Sequence, residues 1–310
     1  MSKEQASTIK TSVGGQALIE GIMMKGPAAY CVAVRTPQGG IKTQITQTKQ
    51  SRWSKIPLVR GVFNFADSLI TGYKCLSYST EIAIPEDDEP VSKLEQWIQK
   101  KFGDKGTGVL VGFSAILGGS LAIVLFTILP TVITSFIARF LPIGNIIAVV
   151  EGVLKILMFI LYLALISRMK DIARMFAYHG AEHKTIACYE AGEELTVENV
   201  MKYTRFHPRC GTSFMLIVLV VSIIVSSFIS WESTLARVVM KLVLLPLVMG
   251  ISYEVIRFAG RHENALTKII SAPGLWMQRL TTNEPDGSMI EVAIAAVTPV
   301  LPKQKEDAEW

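Results

Sequence analysis

Four stretches of the chain lack the usual mixing of apolar and polar positions. Val109–Ile137, VLVGFSAILGGSLAIVLFTILPTVITSFI, carries no charge. At ~1.5 Å per residue it exceeds the ~20 residues that a membrane-spanning helix needs. Pro130 inside it predicts a kink. Ile143–Ile166, IGNIIAVVEGVLKILMFILYLALI, is the second run, and Ser213–Ser230, SFMLIVLVVSIIVSSFIS, is the third. The fourth, Val238–Tyr253, is shorter and is interrupted by Lys241 and Pro246, which makes it the weakest candidate to span. The pattern therefore predicts a mainly α-helical multi-pass membrane protein with four transmembrane helices in two hairpins. The N-terminus, MSKEQASTIKTS, is polar and does not read as a signal peptide, so the apolar runs are expected to stay in the mature chain.

The polar segments have patterns of their own. YCVAVRTPQGGIKTQITQT, Tyr30–Thr48, alternates β-branched and polar residues around Pro-Gln-Gly-Gly and predicts a hairpin. Pro57–Ala83 places apolar residues at helical spacing with Arg60, Asp67 and Lys74 between them, as in an amphipathic helix on a membrane surface. PEDDEP, Pro85–Pro90, reads as a linker, and a polar helix follows it. Asp171–Glu190 predicts a helix stopped at Gly192, and Leu195–Phe206 a second short helix capped by Thr196. The tail predicts two short helices around Pro273-Gly274 and a turn at Glu284–Gly287. The resulting division is a small α+β N-terminal module (1–106), a first transmembrane hairpin (107–167), a polar loop (168–212), a second hairpin (213–258) and a C-terminal tail (259–310).

Composition adds a direction. Half the residues are apolar, 18% are charged, and the net charge is +5. Lys and Arg gather before the first run, between the second and third (Arg168–Arg209), and after the fourth (Arg257, Arg261, Lys268, Arg279). The other two connections hold Arg139 on one side and Glu232 with Arg237 on the other. By the positive-inside rule both termini are expected in the cytoplasm. The positive charge then reads as this bias plus contact with the lipid bilayer, not as a nucleic-acid surface. Cys31, Cys75, Cys188 and Cys210 all fall on the expected cytoplasmic side, where disulfides are not expected.

Candidate chemistry concentrates in one place. Three of the four histidines lie in YHGAEHK, Tyr178–Lys184, and HPRC, His207–Cys210. On a helix, His183 lies ~40° round from His179 and one turn along, with Glu182 on the same side. Cys188 points away, and Glu190 lies ~16 Å along the axis, too far to share one ion. H-x-x-E-H is the inverted zinc-protease pattern, in which two histidines hold the metal and the glutamate works on metal-bound water. His207 and Cys210 are the candidate further ligands, so His179, His183, His207 and Cys210 form a donor set suited to a divalent metal such as Zn²⁺, with Glu182 as catalytic base. Four ligands make a closed structural site. Three leave a position for water. His262, in GRHEN, reads as a basic cap, and Glu20 as a loop carboxylate. Glu151 and Lys155, four apart inside the second run, read as a structural ion pair or, as a minority reading, an ion path, with Lys241 a possible partner for Glu151.

GGQALIEGIMMKGP, YHGAEHKTIACYE, HPRCGTSF and APGLWMQRLTTNEPD together resemble the YqhQ-like bacterial membrane proteins. That resemblance covers nearly the whole chain. It implies a multi-pass bacterial inner-membrane protein of a family described as predicted metal-dependent enzymes, and it supplies no reaction. Two functions follow from the residues. One is a metal-dependent enzyme, hydrolytic in type, acting at the cytoplasmic face on a peptide, amide or headgroup ester. The other is a non-catalytic membrane scaffold or partner-binding protein with a structural metal or polar site.

Overall fold

The computed structural model describes residues 11–48, 56–84, 106–141, 144–208, 210–228, 233–262 and 264–302. The predicted PEDDEP linker and the polar helix after it lie outside these residues. The chain forms two compact units. One comprises residues 1–85, 160–221 and 246–310, and the other residues 86–159 and 222–245. Residues 1–85 of the N-terminal module, the polar loop and the tail, read from the sequence as separate segments, thus belong to one unit.

That first unit is built on a four-stranded antiparallel sheet in the order β1 (Gly14–Leu18), β2 (Gly21–Lys25), β3 (Ala29–Arg35), β4 (Ile41–Gln47). The β3–β4 hairpin predicted from Tyr30–Thr48 is present, closed by Thr36 and Gly40 with Gly39 at φ +88°. The β1–β2 hairpin was not anticipated. Its strands do not alternate, because β2 is buried on both faces. Ile22, Met24, Cys31 and Ala33 face helices α5 (Lys170–Glu190) and α10 (Gly287–Val297). Leu18, Met23, Val32 and Val34 face Cys75 of helix α1 (Val59–Ala83). A strand covered by helices on both sides reads as an unbroken apolar run, not as period two. The two-residue turn places Glu20 at φ 49°, and its carboxylate accepts hydrogen bonds from Arg174 and, at 3.1 Å, from the Tyr178 hydroxyl. Glu20 therefore pins the hairpin to α5, where the sequence reading made it an exposed loop carboxylate.

The long apolar runs become helices. α2 (Gly106–Ile123) continues through a π-helical turn, Val124–Ile128, into α3 (Leu129–Ile137). α4 covers Ile147–Ile166, α7 Gly211–Ser227 and α8 Thr234–Arg261. Among the described residues, three helical stretches are long and apolar enough to cross a membrane: Gly112–Ile137, Ile147–Ile166 and Thr234–Gly260. Their large side chains, such as Ile116, Leu121, Leu157, Leu161 and Val243, face outward, as in helices solvated by lipid. The ranking of the last two runs is reversed from the sequence reading. The fourth run lies inside a helix of 28 residues, whereas the third forms one of 17. Helix length follows backbone hydrogen bonding, which continues through Lys241 and into polar flanking turns where hydropathy alone would stop.

Between α5 and α7, Val197–Met201 forms α6, and the Thr196 hydroxyl accepts from the Asn199 amide as the predicted N-cap. The tail differs from expectation. α9 runs unbroken from Ala265 to Thr281 with Pro273 inside it, and α10 is a separate helix. Asn264 and Thr267 close a capping box at the start of α9. Gly274 is needed in its middle, because a Cβ there would lie 2.2 Å from the Ser213 hydroxyl.

Gly180 sets the approach of the tail to α5. A Cβ at this position would come 2.1 Å from the Asn283 carbonyl, and the Asn283 amide donates to the Phe176 carbonyl at 2.8 Å. Gly180→Ala is expected to destabilise the protein by about 1–3 kcal/mol through overpacking against backbone. Gly118→Ala, with nothing within 4 Å of its Cβ, should not. Thermal melting of the two purified variants checks the difference, and equal melting temperatures would contradict the close approach.

Candidate metal centre

α5 carries its polar side chains inward. Glu182, His183, Lys184 and Glu190 are all buried on it. Burying such groups is costly unless each finds a partner, so the segments around α5 determine what the face can do. His179 and His183 stack edge to face, with ring centroids 4.4 Å apart, as their spacing of four predicted.

Each ring is oriented by a backbone carbonyl. The Thr281 carbonyl lies 2.8 Å from Nδ1 of His179, and the Arg205 carbonyl 2.6 Å from Nδ1 of His183. A carbonyl only accepts, so each Nδ1 carries a proton and Nε2 is the nitrogen left for a metal. This is the arrangement by which metal-binding histidines are commonly held. Nε2 of His179 lies 3.2 Å from Sγ of Cys210. Ligand atoms of His179, His183 and Cys210 all lie within 4.8 Å of one another.

Cys210 immediately precedes α7. Its sulfur receives the Thr212 amide at 3.4 Å and lies 3.2 Å from the Thr212 hydroxyl. Burial by itself would raise the thiol pKa, but the neighbouring His183 and His179 outweigh it and hold Cys210 well below the ordinary thiol value. For His179, burial acts to lower the pKa. The thiolate and Glu182 overcome it and bring the imidazole to about 9. Cys210 and His179 thus form a thiolate–imidazolium pair, the ionised sulfur that metal binding requires.

Glu182 is the fourth member. Burial pushes its carboxyl pKa up, and His179 and His183 oppose the rise. It accepts a hydrogen bond from the Gly15 backbone. A Cβ on Gly15 would sit 2.9 Å from the carboxyl carbon, so glycine is what lets β1 approach so closely. The second oxygen, Oε2, is buried and has no hydrogen-bond partner among the described residues.

His207 lies beside the three without entering the group. Its ring centroid is 5.6 Å from that of His183, and its Nε2 is 3.6 Å from Glu190. Gln278 clamps its backbone at 2.7 Å in both directions, accepting from the amide and donating to the carbonyl. Glu190, set aside from the sequence as too distant to share an ion, lies beside His207 and accepts from the Thr11 amide at 2.9 Å. Cys188 is buried in the apolar core, as its opposite position on the helix implied. His262 is exposed and stacks on Phe258, away from the site. Gly15, Gln278 and Thr281 were not singled out from the sequence. Gly15 and Gln278 acquire their roles only across long stretches of chain, and Thr281 contributes a backbone carbonyl that any residue would supply.

The donor set suits a borderline-soft cation, two imidazole nitrogens and a thiolate, with an unsatisfied carboxylate oxygen beside them. A cavity of about 240 Å³ lies next to Gly15, between β1 and Ser68 and Thr71 of α1.

A family model described as a protein of unknown function, DUF1385, matches residues 56–303. The chain is 31% identical over 312 residues to the uncharacterized protein YqhQ of Bacillus subtilis (strain 168), covering 97% of this chain and 95% of the relative. No solved structure matches it. The chain belongs to the DUF1385 family, of which YqhQ is a relative along almost its whole length.

Proposed function

We propose that the protein is a membrane enzyme that holds one divalent metal, Zn²⁺ by donor type, on His179, His183 and Cys210 and hydrolyses an amide or ester at the cytoplasmic face. The observation that carries this reading is the buried carboxylate of Glu182 beside two imidazoles and a thiolate, with one oxygen unpartnered. Three protein ligands leave a coordination position open, as catalytic rather than structural zinc sites do. A metal bound there supplies Lewis acidity and lowers the pKa of water to ~7. Thr281 and Arg205 hold the imidazoles in the binding tautomer. Glu182 takes up and returns the proton at Oε2, and the Gly15 amide keeps its other oxygen in place.

The short distance between His179 and Cys210 also suits a thiol nucleophile with an imidazole base. That reading leaves the buried Glu182 oxygen unexplained, so the metal reading is preferred. The two differ in metal content. Purified wild type should carry one equivalent of zinc, and its cobalt form should show thiolate-to-metal absorption that Cys210→Ser removes. Metal-free protein that stays folded and active would leave the thiol reading alone. Glu182→Gln should keep metal and abundance while lowering activity by about 10²–10⁴-fold, the usual cost of a lost general base. A Glu182→Gln variant that complements like wild type, at equal abundance, would reduce the centre to a scaffold element.

The same reading places four spans in the membrane with both termini inside. Contacts within the first unit support it. β1 and β2 pack on α5, so an even number of crossings must separate residues 47 and 170. α10 packs on α5, so the number between residues 190 and 287 must also be even. α8 is long enough to cross, and α7 must then cross too, its ~25 Å completed by the turn beyond Ser227. Reporter fusions at Gly144 and Ser233 are expected outside and one at Glu194 inside. An outside score at Glu194 would place the metal centre across the membrane from the proposed site.

A further inference from the structure

The second unit contains a separate charged centre that the metal reading does not use. Glu151 of α4 is buried and accepts from Arg237 of α8 at 2.6 Å, and from Lys241, also of α8. Arg237 donates to the Ser135 hydroxyl at 3.0 Å, and Lys241 donates to the Thr131 hydroxyl at 2.9 Å. Glu151 thus meets Lys241, as the sequence allowed, and not Lys155 four residues along its own helix. Lys155 is 8% exposed and makes no hydrogen bond to any described residue.

These groups line a cavity of about 360 Å³. Three basic side chains face one carboxylate there, in helices otherwise apolar. An ion pair retained only for stability would be balanced, because each uncompensated buried charge costs several kcal/mol. A surplus of basic groups around a cavity in apolar helices therefore points to a site for an anion. Lys155 and Lys241 lie ~10–12 Å along α4 and α8 from their starts, within the apolar length of each helix. Ile147, Ile223 and Phe228 form apolar parts of the same wall, so one ligand can meet charge and hydrocarbon together. The volume falls within the ~300–1,000 Å³ of small-molecule sites.

We infer that this cavity binds a phosphate-bearing anion, carried by an anionic lipid headgroup or free, with Lys155 as the cation that receives it. Arg237 and Lys241 are held in place by Glu151, Ser135 and Thr131, and Lys155 is the charge left for the ligand. The inference does not depend on the metal centre.

The test uses the purified full-length chain in non-ionic detergent, with dioctanoyl-phosphatidylglycerol, dioctanoyl-phosphatidylcholine and inorganic phosphate as probes. Wild type is expected to bind phosphatidylglycerol saturably and the zwitterionic lipid far more weakly. Lys155→Gln should weaken phosphatidylglycerol binding by about ten- to a hundredfold, the effect of one lost hydrogen bond to a charged group. Lys155→Arg should keep most of it. Saturable phosphate binding that depends on Lys155, without preference for phosphatidylglycerol, would support the anion site and identify free phosphate as its ligand. If Lys155→Gln does not fold, Lys155→Met provides the neutral variant, and the comparison of lipids on wild type needs neither. Equal binding of both lipids with no saturable phosphate binding, or phosphatidylglycerol binding unchanged in a folded neutral variant, would overturn the inference.

Discussion

The first unit depends on the need to satisfy the polar face that α5 buries. A helix can bury a glutamate and two histidines only if other segments bring partners to them. Here the partners come from three remote parts of the chain. Gly15 supplies an amide from the edge strand β1, Arg205 a carbonyl from the loop after α6, and Thr281 a carbonyl from the end of α9. Each contact fixes a segment as well as a side chain. The sheet, the loop and the tail are drawn to one helix, and the apolar layer between β2, α5 and α10 closes around them.

This constraint explains several positions that look unrelated in the sequence. Gly15 is needed because the Glu182 carboxylate occupies the space of its side chain. Gly180 is needed because the chain after α9 passes directly over α5. Gln278 clamps the backbone at His207 on both sides, which holds the loop leading to Cys210. Glu284 accepts from Lys184 at 2.7 Å and from Arg205 at 3.1 Å, tying the turn before α10 to the same helix. The NEPD turn and the histidine motif are thus parts of one assembly.

The two charged centres answer burial differently. Around α5 the buried oxygen left without a hydrogen-bond partner among the described residues belongs to a carboxyl, which favours a cation. Around Glu151 basic groups outnumber the carboxylate, which favours an anion. Each unit has its own centre, and neither centre borrows a residue from the other unit.

The helical class was legible because apolar runs of more than about twenty residues have few other solutions. So were the β3–β4 hairpin, the Thr196 cap and the shared face of His179, Glu182 and His183, since each depends on residues close in sequence. Local spacing also correctly removed Cys188 from that face. It was silent where distant segments decide. The β1–β2 hairpin was hidden because burial on both faces erases alternation. α9 crosses Pro273 because its cap at Asn264 and its packing at Gly274 outweigh one missing hydrogen bond. The order of the third and fourth apolar runs was misread because backbone hydrogen bonding extends α8 past Lys241 and Pro246. Which histidines meet Cys210, which carbonyls orient them, and which cation Glu151 leaves unpaired are matters of tertiary structure alone. They depend on the positions of atoms separated by up to about a hundred residues of chain, and no local period encodes those positions.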